Sequence, residues 1–400
     1  MASRVSRTTD HVVARPDADG TVRRRAVRDA RVRLDPVPYR PWLRWLLRLG
    51  LALPYAVLAV ATALGTRIET PNTALIQHVG AIDWARADAA WLGDIMPPIT
   101  SFIALAIPDP LVLGILGALI AGYLVQRVIE IMVQRRIARP VAILLVLALA
   151  TSPLTAYTAV GNLAGILGLT CFGIGISHAT RFVIWSNTRS GFIAGIAFMI
   201  GALSDSAGIA AVVAAAIVVP LARVGRAGQR GARWANLLVI VFPTVAAYTS
   251  MMILAAVFSP SPFTIFANID VASAGERLAV IGATIPEPRG WAMIAILAVA
   301  WFVALVLRSI GVLVGATLVF IAQLGAYVLG LVPETAGGNV FILLTLVAVA
   351  FLPRARSLAT IGGLTAAMVL QLIVGWFAAF ATPVVVEWMD AVLVALGLPE

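Results

Sequence analysis

The sequence predicts an all-α polytopic membrane protein with about eleven transmembrane helices. The first observation is composition: 61% of the 400 residues are hydrophobic and the mean hydropathy is +0.97, too apolar for a water-soluble domain. The second is that apolar stretches long enough to cross a bilayer follow one another along almost the whole chain beyond residue 45. The third is that arginine is sorted sharply between the connections that join these stretches.

The transmembrane domain is predicted to occupy residues 43–382, because a spanning helix needs about 20 mostly apolar residues. The predicted spans are 45–65, 109–127, 140–156, 160–178, 190–204, 206–222, 236–258, 290–307, 310–332, 339–353 and 358–382. Before this domain, residues 1–42 are rich in arginine, and we expect a disordered tail. After it, residues 383–400 are expected to form a short amphipathic helix around Trp388.

The charged residues predict the orientation. All 29 basic residues are arginine, and on this topology 25 of them lie on one side of the membrane. The other side has only Arg67, Arg86, Arg277 and Arg289, together with 13 of the 19 acids. Cytoplasmic loops retain arginine, so the N-terminus is predicted to be cytoplasmic and the C-terminus extracytoplasmic, in the plasma (inner) membrane of a bacterium. We call the two faces the arginine-rich side and the arginine-poor side.

Two long connections, 66–108 and 259–289, lie on the arginine-poor side. The first contains amphipathic stretches at 73–82 and 86–93, which we expect to lie along the membrane surface. It ends in an apolar segment, 97–106, that is too short to span and is predicted to lie in the interface or to dip in as a half-helix.

Several functional classes are disfavoured by what the chain contains. No basic face with interleaved aromatic residues is present to follow a nucleic acid backbone. A single cysteine, Cys171, and three scattered histidines form neither a disulfide nor a metal motif. The predicted spans hold almost no charged residues, which counts against an ion-coupled transporter. Asp205 comes closest, and its SDSA context favours the tip of an outer hairpin.

The first long connection concentrates acids: Glu69, Asp83, Asp88 and Asp94, with Asp109 at its end. Each of them alone is equally well explained as a solvated loop residue. Amphipathic helices would, however, hold the acids against the membrane, where a partly desolvated carboxylate can act as a base.

One helix, a long acidic outer connection and then a GDIMPPI segment form an order that resembles the membrane glycosyltransferases of the GT-C superfamily. The segments TSPLTAYTAVGN at 151–162, GFIAGIAFMIGALSDSAGIAAVV at 191–213 and FPTVAAYTSMMILAAVFSPSPFTIF at 242–266 are similar to later parts of such chains. The resemblance implies an active site at the outer face. There a sugar would pass from a polyprenyl-phosphate donor to a glycan, lipid or protein acceptor, without a nucleotide-binding domain.

The resemblance also assigns roles to residues. The acid after the first helix is Glu69 and the acid before the Pro-Pro turn is Asp94, so one of them is expected to deprotonate the acceptor hydroxyl. Arg289 and Arg277 are expected to bind the donor phosphate, since a guanidinium fork matches that anion. Asp83 and His78 are further candidates for substrate binding. The reaction requires no cofactor, although a divalent cation beside the acids is compatible with it.

Two other hypotheses stay open. A non-catalytic membrane subunit with the same fold, binding protein partners, is favoured by a single Glu69 where a paired acidic motif is common and by the absence of a soluble C-terminal domain. Ser204-Asp205-Ser206 also stands where related chains often have a basic residue. The third hypothesis is a transporter for a lipid or another solute.

Overall fold

The structure, a computed structural model, describes residues 38–65, 69–85, 91–185, 187–221, 232–267, 269–333, 336, 338–352 and 357–397. Over these ranges the chain is helical and has no strand. The helices are α1 Pro41–Gly65, α2 Pro71–Gly80, α3 Trp91–Asp94, α4 Pro98–Ala106, α5 Pro110–Gln134, α6 Arg139–Ala150, α7 Pro153–Gly161, α8 Leu163–Trp185, α9 Thr188–Ser204, α10 Gly208–Leu221, α11 Ala232–Phe258, α12 Ala274–Thr284, α13 Pro288–Val306, α14 Ile310–Val328, α15 Asn339–Phe351, α16 Leu358–Phe380 and α17 Pro383–Ala395. A short 3₁₀ helix, Pro262–Phe266, precedes α12. Most of the predicted N-terminal tail, residues 1–37, lies outside the described residues.

Seven of the described helices are long and apolar enough to cross a membrane: α1, α5, α8, α11, α13, α14 and α16. An eighth crossing results if α6 and α7 are counted as one bent span. Three shorter apolar helices, α9, α10 and α15, fall below the length of a full span. The all-helical, polytopic class predicted from the sequence is confirmed, whereas the number eleven stays a prediction.

The predicted spans 140–156 and 160–178 correspond to the bent pair of α6 and α7 and to α8. α6 ends at Ala150, and Pro153 begins α7 after a bend of 49°. Proline lacks the N–H that an inner helical position needs, and it disfavours helical backbone in the residue before it. α7 is buried along all nine of its residues and ends at Gly161, before α8 begins at Leu163.

The arginine-rich end of α5 corrects one predicted placement. The helix continues to Gln134, so Arg127 lies on the helix and not in a connection. Its ion pair with Glu130, one turn along, favours this continuation. Arg181 likewise lies on α8. These charged residues lie at or beyond the ends of the predicted spans 109–127 and 160–178, on helices that continue past them.

Small residues let the helices approach closely. A Cβ atom at Gly117 of α5 would lie 2.0 Å from the carbonyl oxygen of Ala159 in α7. A Cβ atom at Gly122 would lie 2.8 Å from the side chain of Ala52 in α1. Apolar surface alone does not drive helices together in lipid, so close packing of backbones supplies much of the association.

The segments of the arginine-poor side contact one another. The Thr100 hydroxyl of α4 donates to the carbonyl of Ser204 at the end of α9 (2.7 Å). The buried Trp388 of α17 donates from its indole N–H to Thr62 of α1 (2.9 Å). α4 has nine residues and so a length of only about 14 Å, which is too short to cross the membrane.

Candidate functional site

A cavity of about 280 Å³ lies on the arginine-poor side between α7, α12, α13, α14, α15 and α16. Its wall is mostly apolar and includes Met293, Phe320, Leu324 and Val340. Val280, also in the wall, is 46% exposed, so the cavity opens to the surface beside α12. An apolar cavity with an open end near the membrane surface suits an amphiphilic ligand.

One guanidinium and two amides line this apolar wall, together with the hydroxyl groups of Thr284, Tyr327 and Thr382. Arg289 stands in the first turn of α13, where the N–H groups and the dipole of a helix favour an anion. It is half-buried and makes neither a hydrogen bond nor an ion pair with a residue that the structure describes. Arg289 is therefore placed to bind the charged head of a ligand whose apolar part enters the cavity.

Gln323 and Asn339 are the two amides in the cavity wall, and each of these side chains is only 5% exposed. The Asn339 Oδ1 atom is enclosed and has no hydrogen-bond partner in the described part of the chain. An enclosed polar atom without a partner costs about 1–3 kcal/mol. A ligand that donates a hydrogen bond inside the cavity would remove that cost.

Among the predicted catalytic residues, Asp94 is half-buried at the end of α3. His78, exposed on α2, donates from Nε2 to the backbone carbonyl of Asp94 (2.7 Å). Gly93 packs closely on the backbone of Thr264 in the 3₁₀ helix. The structure thus brings His78 and Asp94 together and places them against the second long connection.

Glu69 and Asp83 lie at the surface. Glu69 is exposed just before Thr70, whose side chain caps α2. Asp83 is exposed, and its carboxylate accepts a hydrogen bond from the backbone N–H of Ala85 (3.0 Å). Neither residue lines the cavity. Asp88 lies outside the described residues.

Arg277 differs from Arg289, although both were predicted to bind phosphate. The Arg277 guanidinium donates to the Asp270 carboxylate (2.9 Å) and to the carbonyl oxygen of Val328 in α14 (3.4 Å). Hydrogen bonds from Ser273 and the charge of Arg277 lower the pKa of Asp270. Arg277 fastens the second long connection to α14, whereas Arg289 is the one of the two that lines the cavity.

Asp205 is the residue that sequence reasoning undervalued. Its carboxylate accepts a hydrogen bond from the backbone N–H of Ala207 (3.2 Å), at the start of α10. Its side chain packs so closely on Gly168 of α8 that a Cβ atom there would lie 2.7 Å from the Cβ of Asp205. Burial raises the pKa of Asp205 to about 6, although the Ala207 N–H opposes the rise. One signal was available, since no other acid lies between Glu130 and Asp270.

The turn that carries Asp205 is linked to the cavity only through apolar packing. Ala207 is buried in one cluster with Ala326 and Leu331, and Val332 packs on that cluster. Val332 lines the cavity, whereas Asp205 does not. The link between the Asp205 turn and the cavity is therefore indirect.

A divalent cation finds no matching set of ligands in this part of the molecule. No group of three or more His, Cys, Asp or Glu side chains that could hold a metal occurs within the described ranges. The reaction proposed below uses no metal ion.

Comparisons with protein-family models, with curated proteins and with solved structures gave no match. The proposed function therefore rests on the geometry of the site.

Proposed function

We propose that this chain is a glycosyltransferase of the GT-C type, with eleven membrane crossings, that uses a polyprenyl-phosphate sugar at the outer face of a bacterial plasma membrane. The observation that carries the proposal is the 280 Å³ apolar cavity lined by Arg289 and by the buried amides of Gln323 and Asn339. An isoprenoid fits the apolar wall, and its phosphate fits the guanidinium at the N-terminus of α13.

The reaction would be a displacement at the anomeric carbon of the sugar. The acceptor hydroxyl oxygen forms the new bond to that carbon, and its proton passes to a carboxylate, Asp94 or Glu69. The bond between the anomeric carbon and the phosphate oxygen breaks, and polyprenyl phosphate leaves with the electron pair. Arg289 stabilises the negative charge on the leaving phosphate.

The test is sugar transfer from a polyprenyl-phosphate donor by the purified protein in proteoliposomes. Asp94→Asn or Glu69→Gln is expected to reduce turnover by about 10²–10⁴-fold, the usual contribution of a general base. Arg289→Ala is expected mainly to weaken donor binding, because a phosphate contact is lost. Transfer at the parental rate by both carboxylate variants would contradict the catalytic assignment.

The cavity itself can be tested with a matched pair of variants. Leu324→Trp fills the cavity and should reduce donor binding, whereas Leu305→Trp places the same side chain at a position that is 68% exposed and outside the cavity. Equal donor binding by the two variants would remove the cavity from the proposal.

The alternative is a non-catalytic subunit of a larger assembly. A parent protein that transfers no sugar from any polyprenyl-phosphate donor, yet retains a stable protein partner through purification, would favour that alternative.

A further inference from the structure

A second group of charged side chains lies at the arginine-rich end of the bundle, where α5 and α8 face each other. Arg127 and Glu130 of α5 form an ion pair, and their side chains are 26% and 7% exposed. Gln134 donates to the Glu130 carboxylate (3.1 Å) and accepts a hydrogen bond from Arg181 of α8 (2.9 Å). We call these four residues the inner polar network.

The inner polar network holds more positive than negative charge. Arg181 lies within electrostatic range of Arg127 and also of Arg135, which follows α5. Beyond the N-terminal tail, Glu130 is the one acid that the sequence places on the arginine-rich side. Arginines that only set topology lie in loops among water, whereas Arg127 and Arg181 lie on packed helices.

One of these arginines already has its partners. Arg135 donates to the carbonyl oxygens of Val349 and Ala350 (3.1 and 2.6 Å) near the C-terminal end of α15, where the helix dipole is negative. Arg181 has a single neutral partner, the Gln134 amide oxygen, among the described residues. Glu130 lies within electrostatic range of Arg181, but no carboxylate of the described residues hydrogen-bonds to the Arg181 guanidinium.

A small cavity of about 20 Å³ adjoins the network between α5, α8 and α15 and is lined by Arg127. Thr170 also lines it, is only 3% exposed, and has an enclosed hydroxyl with no partner in the described chain. Space of this size holds one oxygen-sized atom. The enclosed Thr170 hydroxyl beside Arg127 can bind one further oxygen atom, of a water molecule or of an anionic ligand.

We propose that Arg127 and Arg181 bind the phosphate of an anionic phospholipid from the leaflet on the arginine-rich side. Each guanidinium carries five N–H donors in a planar fork that matches phosphate, and each uses only one side-chain partner in the network. Basic sites between spanning helices on the arginine-rich side are suited to lipid head groups. Val133, next to Gln134, is 51% exposed, so this stretch of α5 reaches the surface of the bundle.

The experiment measures unfolding of the purified, delipidated full-length protein in a neutral detergent. Phosphatidylglycerol, phosphatidylcholine or inorganic phosphate is titrated in separate arms, and the unfolding midpoint gives an apparent affinity. We expect phosphatidylglycerol to raise the midpoint at concentrations where the other two have no effect. Arg181→Gln should weaken this affinity by about tenfold or more, the effect of losing one charge-assisted hydrogen bond.

Arg308→Gln is the matched control, since it removes the same charge from an exposed arginine on the same side. Arg181 is chosen over Arg127 because replacing Arg127 would leave the Glu130 carboxylate without its ion pair. Should Arg181→Gln fail to fold, Arg181→Lys keeps the charge without the fork, and it should bind more weakly than the parent. The lipid titration of the parent needs no variant.

Equal stabilisation by phosphatidylcholine would overturn the proposal, because the phosphate charge would then not be recognised. Equal stabilisation by inorganic phosphate would overturn the assignment to a lipid. A loss in Arg308→Gln as large as that in Arg181→Gln would show a general surface charge effect and would also overturn it. None of these outcomes depends on whether the chain transfers sugar.

Discussion

Asp205 illustrates how a single carboxylate can combine a structural and a chemical property. One oxygen of its carboxylate accepts a hydrogen bond from the Ala207 N–H at the start of α10, a role that an exposed aspartate could also fill. Its packing on Gly168 removes water and raises its pKa, and only the folded protein provides that surrounding. A carboxyl pKa of about 6 lies in the range that acid–base catalysis near neutral pH favours.

We expect Asp205→Asn to raise the free energy of unfolding at pH 7 by about 1–3 kcal/mol. The folded pKa of about 6 exceeds the ordinary value of 3.8, so the folded protein binds the proton more tightly than the unfolded chain. The stability that this tighter proton binding adds is therefore fully present below pH 4, and it is lost as the pH rises through 6. Asn keeps the bond to the Ala207 N–H but carries no charge. Denaturant unfolding in detergent at pH 4 and at pH 7 measures the difference.

Asp83→Asn is the control, because Asp83 makes the same kind of bond to a backbone N–H two residues on, but is exposed. It should leave stability unchanged at both values of pH. The interpretation fails if Asp205→Asn is as stable as the parent at pH 7.

At this scale the sequence indicated some residues and passed over others. The acids of the first long connection stand out because they break an apolar sequence, and Arg289 stands out because it violates the charge sorting. Asp205 was interpreted as a hairpin tip because the small polar residues beside it are typical of turns. The residues that bury it, Gly168 among them, come from a helix that is distant in sequence.

At the scale of elements, the positions of most helices follow from apolar runs, but their breaks do not. The run from α6 into α7 is apolar on both sides of the bend, and Pro153 is the chief sign of the break. α5 was predicted to end near Arg127, since a charge usually marks the end of a span. The ion pair with Glu130 lies within α5 and favours its continuation, and Gln134 connects the Glu130 carboxylate to Arg181 of α8.

The contact between α5 and α7 predicts a large effect of a single methyl group. Gly117→Ala should lower the free energy of unfolding of the detergent-solubilised protein by about 1–3 kcal/mol. The new Cβ atom would clash with the backbone carbonyl of Ala159 and push the two helices apart. Gly325→Ala in α14, where nothing lies within 4 Å, should be neutral or stabilising by about 1 kcal/mol. Similar changes in both variants would refute the role of close packing between α5 and α7.

For the whole molecule, the charge sorting predicts which end faces the cytoplasm. Single cysteines at Ala85 and Thr188, both exposed and on opposite sides of the predicted topology, report on this directly. A membrane-impermeant thiol reagent should label Ala85→Cys in intact cells and Thr188→Cys only after permeabilisation. Cys171 is 8% exposed and should contribute little background. The reverse labelling pattern would invert the orientation.

The helical, polytopic plan of the molecule was accessible from sequence because lipid requires backbone polar groups to be satisfied within helices, whereas the sidedness read from the charges stays a prediction. The cavity was not accessible, because its walls come from six helices that the sequence does not arrange in space. Arg289 could be chosen from its position in a loop, but its place in the cavity wall required the structure.

Asn72 connects the first long connection to the middle of the chain. Its amide nitrogen donates to the carbonyl of Val160 (3.0 Å), and its oxygen accepts from the N–H of Leu163 (2.7 Å), so one buried side chain bridges the break between α7 and α8. Those partners do not yet exist when a ribosome has just delivered residue 72 to the membrane. At roughly 5–20 residues per second, α2 waits several seconds before it can dock. The segment that bears Glu69 and Asp94 is thus made early, but it cannot complete this contact until Leu163, 91 positions after Asn72, has been made.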